Sequence, residues 1–83
     1  MSFVVYSKSD CHQCDAAKRL LVNARQPFDD RRLGRDFTRA EFIGAFPFVK
    51  QFPLVTLDGM IVGGLSDLLS LLASNYPHDD RTE

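Results

Sequence analysis

The chain's two cysteines, Cys11 and Cys14, stand three apart, directly after the apolar run Phe3-Val4-Val5-Tyr6 and directly before a helical pattern. No other feature constrains the fold as much, because it asks for a strand that delivers the pair onto the first turn of a helix. Residues i and i+3 on such a turn are neighbours, close enough for their sulfurs to bond reversibly. A disulfide closing so small a loop restricts the unfolded chain by only about 2 kcal/mol on loop-entropy grounds. A bridge that stabilises so little is better explained by making and breaking than by stapling. The pair therefore reads as a redox-active dithiol opening the helix of a βαβ unit.

Periodicity supplies the remaining elements. Residues 3–6 are apolar, β-branched and aromatic, and predict a buried strand. Ser9 or Asp10 is placed to cap the helix that follows. In that helix Ala17, Leu20, Leu21 and Ala24 recur at i, i+3, i+4 and i+7 as one apolar stripe, with Lys18, Arg19 and Asn23 facing elsewhere. Cys14 borders the stripe and Cys11 lies at or before the first turn, so Cys14 is expected to be the shielded sulfur and Cys11 the exposed one. Gln26-Pro27 ends the helix. Residues 28–33 form a charged, edge-type strand that Gly34 breaks. Thr38-Arg39-Ala40-Glu41 matches a capping box, with Phe42, Ile43 and Phe46 as the apolar face of a short helix stopped by Pro47. Residues 54–57 and 60–62 are strands joined by the hairpin dipeptide Asp58-Gly59. Gly63-Gly64 leads into a last helix, with Ser66 as its cap and Leu65, Leu68, Leu69 and Leu72 as its buried stripe. Residues 76–83 are polar, contain a proline and are expected to form a flexible tail. The order β-α-β-α-β-β-α predicts one α/β domain over residues 1–83, a four-stranded mixed sheet flanked by three helices.

Composition narrows the function classes. Ten basic against eleven acidic residues, a net charge of −1, give no electrostatic case for nucleic acid or an anionic membrane as a partner. The opening apolar run is short and has no basic residues ahead of it, so neither a signal peptide nor a bilayer span is expected. Two cysteines are no secreted disulfide framework and point to a reducing cytoplasm. The expected state is a monomer.

With these residues in place the chain resembles the glutaredoxins over essentially its whole length to Ser74. The matching features are the first strand, Lys8, the Cys11/Cys14 pair, Ala16-Ala17-Lys18-Arg19-Leu20-Leu21, Phe52-Pro53, and Gly63-Gly64 before the last helix. The resemblance implies a thioredoxin-like fold with strand order 2-1-3-4 and a cis peptide at Phe52-Pro53 facing the dithiol. It implies a thiol–disulfide oxidoreductase in which Cys11 attacks a substrate disulfide and Cys14 resolves the mixed disulfide. Glutathione is then the reductant and cosubstrate, with no bound cofactor. Two stretches pull in different directions. His12-Gln13, between the cysteines, differs from the family's commonest Pro-Tyr and resembles the NrdH-type redoxins, which thioredoxin reductase reduces and which supply ribonucleotide reductase. Gly63-Gly64-Leu65-Ser66-Asp67 resembles the glutaredoxin ending instead. The expected partners are therefore glutathione or thioredoxin reductase, together with disulfide-containing proteins such as ribonucleotide reductase.

Each candidate site residue also has a chemical reading. A helix N-terminus favours the Cys11 thiolate through free N–H groups and the helix dipole; Lys8 adds positive charge and Asp10 opposes it. His12 with the two cysteines supplies three possible metal ligands where structural zinc wants four, and the second histidine, His78, lies in the tail. No metal site is expected on that count. The alternative of another class is an iron–sulfur carrier, since some glutaredoxins bridge a cluster between two subunits through the first cysteine. His12 is instead expected to be exposed and to tune the Cys11 thiolate when protonated, and Gln13 to face solvent or a partner. Pro53 would aim the Phe52 N–H and C=O at an extended substrate. Lys50 and Gln51, with Lys8, offer themselves to a carboxylate such as glutathione's glycine end. Gly64 and the first amides of the last helix, at Ser66 and Asp67, offer an anion site. Phe46, Phe48 and Phe52 flank two prolines; most should be core, with one or two exposed beside the dithiol as a docking patch.

Overall fold

The structure, a computed structural model, describes residues 2–75. The tail expected at 76–83 lies outside the described residues. Seven elements follow one another: β1 (Phe3–Ser7), α1 (His12–Asn23), β2 (Phe28–Arg32), α2 (Arg39–Ala45), β3 (Leu54–Leu57), β4 (Met60–Gly63) and α3 (Leu65–Asn75). The strands form one sheet in the order β2-β1-β3-β4. β1 runs parallel to β2, and β3 runs antiparallel to both β1 and β4. This is the expected thioredoxin-like arrangement, a mixed sheet with three helices.

β1 is less uniformly buried than its apolar run predicts. Phe3, Val5 and Ser7 are fully buried, whereas Val4 and Tyr6 are half-buried. Alternation across the strand explains this, because successive side chains point to opposite faces. One face carries the main core, in which Phe3, Val5 and Val55 of the sheet meet Ala17 and Leu21 of α1 and Leu68 and Leu72 of α3. Burying each such leucine contributes about 1.5–3 kcal/mol. The other face carries an aromatic cluster. Tyr6 sits edge-on to Phe37 at 5.5 Å and to Phe46 at 5.1 Å, and Phe42 lies 4.7 Å from Phe52. These ring contacts seat α2 on the sheet.

Local signals explain most boundaries. α1 ends where Arg25 turns to φ 59° and the Gln26 N–H closes on the Leu21 carbonyl, just before Pro27. Both arms of the expected capping box at Thr38 are present: the Glu41 N–H donates to Thr38 Oγ1 at 3.1 Å, and the Thr38 N–H donates to Glu41 Oε1 at 2.8 Å. Asp58 and Gly59 both take positive φ, as the tight turn between β3 and β4 requires.

Three details differ from the sequence reading. Ile43 and Leu69 were expected on buried faces and are 53% exposed each. Leu69 borders an open depression with Ala16, Arg19 and Leu20 of α1, and Ile43 one with Pro47 and Phe52. Ser66 is not the cap of the last helix: Leu65 is already helical, and the Leu68 N–H closes the first turn on the Gly64 carbonyl at 3.0 Å.

Candidate active site

Cys11 itself is the N-cap of α1, in place of the expected Ser9 or Asp10. Asp10 takes φ 54°, which turns the chain so that the next residue enters the helix. Cys11 is extended, at φ −124° and ψ 101°, and its Sγ accepts the Cys14 N–H at 3.1 Å. A sulfur thus occupies the place usually taken by a serine or aspartate oxygen. The two cysteines are bonded to each other, with Cα atoms 5.2 Å apart. Cys14 is fully buried and Cys11 half-buried, while His12 and Gln13 are exposed.

Beside the helix start runs a groove of about 730 Å³, leading from Gln13 past Gln51, Phe52 and Pro53 to Gly64, Ser66 and Asp67. A second cleft of about 380 Å³ opens next to it, lined by Lys8, Gln13, Arg39, Lys50, Gln51 and Phe52. Of the candidate site residues, Gln13, Gln51 and Phe52 line both, Lys8 lines the cleft only, and Cys11, His12 and Cys14 line neither. The Phe52-Pro53 peptide is cis, and the Pro53 carbonyl faces Gly64, where a Cβ would lie 3.7 Å away.

The far end of the groove is shaped by Gly63 and Asp67. Gly63 has φ 128°, and a Cβ there would come within 2.7 Å of the Asp67 carboxyl carbon. Asp67 accepts the Gly64 N–H at 3.1 Å, so its carboxylate folds back over the start of α3. That is the acidic half of a capping box, and the helix dipole favours it.

A polar stitch holds the cysteine-bearing helix to the sheet. Ser7 Oγ donates to Asp30 Oδ1 at 2.8 Å, and Lys18 Nζ donates to Asp30 Oδ2 at 3.2 Å. Burial acts to raise the Asp30 pKa, but the Ser7 hydroxyl and the Lys18 ammonium outweigh it and hold the carboxyl below its ordinary value. Periodicity placed Lys18 off the apolar stripe without revealing a partner, because Asp30 comes from β2, a separate element.

Two contributors were missed in the sequence. Arg39 reads there only as part of the capping box, and its place in the cleft follows from how α2 seats on the sheet. Leu69 was assigned to the core and instead lines the groove. Phe48, expected as a possible docking residue, lines the groove and is 92% exposed. Among the described residues no three His, Cys, Asp or Glu side chains gather to hold a metal ion. Nor is any described helix long and apolar enough to cross a membrane.

Residues 3–62 match the family model of glutaredoxin. Among solved structures, the NrdH-redoxin of Escherichia coli, described as a glutaredoxin-like protein with a thioredoxin-like activity profile, is 26% identical. That match covers 94% of this chain and 99% of the other, with a TM-score of 0.72. The reduced glutaredoxin of Escherichia coli is 24% identical over 90% of this chain and 96% of its own, with a TM-score of 0.74. A buckwheat glutaredoxin solved in complex with glutathione is 19% identical over 90% of this chain and 71% of its own, also at 0.74. No curated protein matches the chain by sequence.

Proposed function

Because the chain belongs to the glutaredoxin family, we propose that it is a thiol–disulfide oxidoreductase that cycles Cys11 and Cys14 and takes its electrons from glutathione. The observation that carries this reading is the Cys11 sulfur at the N-cap of α1, accepting the Cys14 N–H at 3.1 Å. A thiolate is the stronger acceptor, so the same N–H and the helix dipole favour the Cys11 thiolate once the disulfide is reduced. Protonated His12 beside it would act in the same sense.

The Cys11 thiolate attacks one sulfur of a substrate disulfide, that S–S bond breaks, and the departing thiolate takes up a proton. The buried Cys14 sulfur then attacks Cys11 Sγ, releasing the second substrate thiol and leaving the Cys11–Cys14 disulfide. Two glutathione thiols return the protein to its dithiol state and leave as glutathione disulfide. No bound cofactor enters the cycle. Lys8 and Gln51 supply a cation and an amide for the glycine carboxylate of glutathione; the Gly64 N–H is already taken by Asp67, which leaves the Ser66 and Asp67 amides for its other end. The protein works as a monomer in the cytoplasm.

A second reading keeps the chemistry and changes the donor to thioredoxin reductase, with ribonucleotide reductase as a target. The 26% identity with an NrdH-redoxin over nearly the full length of both chains favours it, as does Gln13. Supplying the oxidised protein with each donor in turn, and following substrate reduction, separates the two. Turnover with glutathione and glutathione reductase supports the first reading; turnover only with thioredoxin reductase replaces it by the second.

A further inference from the structure

The cleft that Gln13, the residue before Cys14, helps to line carries more positive charge than one carboxylate needs. Lys8, Arg39 and Lys50 line it together, and among the described residues none of the three has a carboxylate within ion-pair distance. Elsewhere among the described residues Lys18 pairs with Asp30, Arg31 with Asp29 and Arg35 with Asp36, while Arg19, Arg25 and Arg32 form no ion pair and line neither the cleft nor the groove. Three unpaired cations in one concavity raise a local positive potential on a chain whose net charge is −1.

The adjoining groove has the opposite character along its outer wall. Phe48 is 92% exposed, Ile61 56% and Leu69 53%, and all three line that groove. Cleft and groove share Gln13, Lys50, Gln51 and Phe52, and are one continuous surface running beside the start of α1. Exposed aromatic and aliphatic side chains grouped at a concave rim are what a protein partner desolvates.

Resting on the oxidoreductase reading, we propose that this surface selects protein disulfides whose cysteine is flanked by an acidic residue on one side and a large apolar residue on the other. Arg39, with Lys8 and Lys50, receives the acidic side chain, and Phe48 at the groove rim receives the apolar one. Charge complementarity commits the surface to a substrate peptide. A second copy of this chain would have to bring its own carboxylates against these cations.

The test uses the prereduced protein in single turnover, so that no electron donor enters. Its rate is measured on short peptides holding one internal disulfide, with Asp and Phe, Lys and Phe, Asp and Ser, or Lys and Ser on the two sides of the pair, in both orders. Each rate is divided by the same protein's rate on bis(hydroxyethyl) disulfide. The Asp/Phe peptides are expected to react about tenfold faster than the Lys/Ser peptides, through encounter and docking. Rising ionic strength should shrink the Asp preference and spare the Phe preference. Arg39→Glu should remove or invert the Asp preference alone, and Phe48→Ser the Phe preference alone. Equal normalised rates across the peptides overturn the proposal, as do preferences that survive both substitutions. Self-association that Phe48→Ser abolishes also overturns it, since a second copy would then cover the surface. Failure to reduce bis(hydroxyethyl) disulfide at all would instead sink the oxidoreductase reading beneath it.

Discussion

At the residue scale, Cys11 caps α1 with its own sulfur, and the proposed function makes that sulfur the attacking one. Cys11→Ser keeps a capping oxygen and removes the nucleophile, so it is expected to fold normally and lose all disulfide reduction. Cys14→Ser is expected to keep reduction of mixed glutathione disulfides, which need one sulfur, and to lose reduction of protein disulfides; steady-state assays on both substrate types check this pair. Gly63 makes the complementary case for backbone. Its φ of 128° and the crowding by Asp67 predict that Gly63→Ala costs about 1–3 kcal/mol, read by urea denaturation. Gly63→Ala combined with Asp67→Ala should recover only the crowding part. The cysteine pair was legible in the sequence because a spacing of three is a local signal. The cap was not, since the left-handed turn that makes Cys11 the cap falls on Asp10, a residue with many other conformations open to it.

At the scale of elements, the hydrogen bonds at helix starts and between strands decide how firmly the site is held. Thr38→Ala removes one arm of the capping box at α2 and is expected to cost about 1 kcal/mol in thermal or chemical unfolding. The Ser7–Asp30–Lys18 stitch predicts a pH dependence. Asp30 titrates lower in the folded chain than its ordinary value, so its contribution is complete above the unfolded pKa of about 3.9 and is lost as pH falls through the folded value. Asp30→Asn should therefore show a shallower loss of stability on the acid side than the parent, in denaturation midpoints taken across that range. The capping box, the Asp58-Gly59 hairpin and the apolar stripe of α1 were legible because each is written in neighbouring residues. The exposure of Ile43 and Leu69 was not, since a helical wheel says which residues share a face and not how far the facing element extends.

On the scale of the whole molecule, one sheet separates two apolar layers, and the site lies where the ends of its elements meet. Leu21 and Leu68 come from α1 and α3 and meet over β1 and β3. Leu21→Ala or Leu68→Ala should each cost about 2–5 kcal/mol, enough to threaten a domain of this size. Strand order and helix number followed from element sequence and family likeness. The cleft followed in part: Lys8, Lys50 and Gln51 were expected together on a carboxylate, whereas Arg39 was not, because only the packing of α2 against the sheet brings it there. The central claim is that Cys11 is the attacking sulfur and Cys14 the resolving one. Its most direct test is to mix the prereduced Cys14→Ser and Cys11→Ser proteins separately with a peptide disulfide, quench in acid, and map the trapped adduct by peptide mass spectrometry. The account predicts a mixed disulfide on Cys11 in the first protein and almost none in the second. A stable adduct on Cys14, with Cys11 left unmodified, would contradict it.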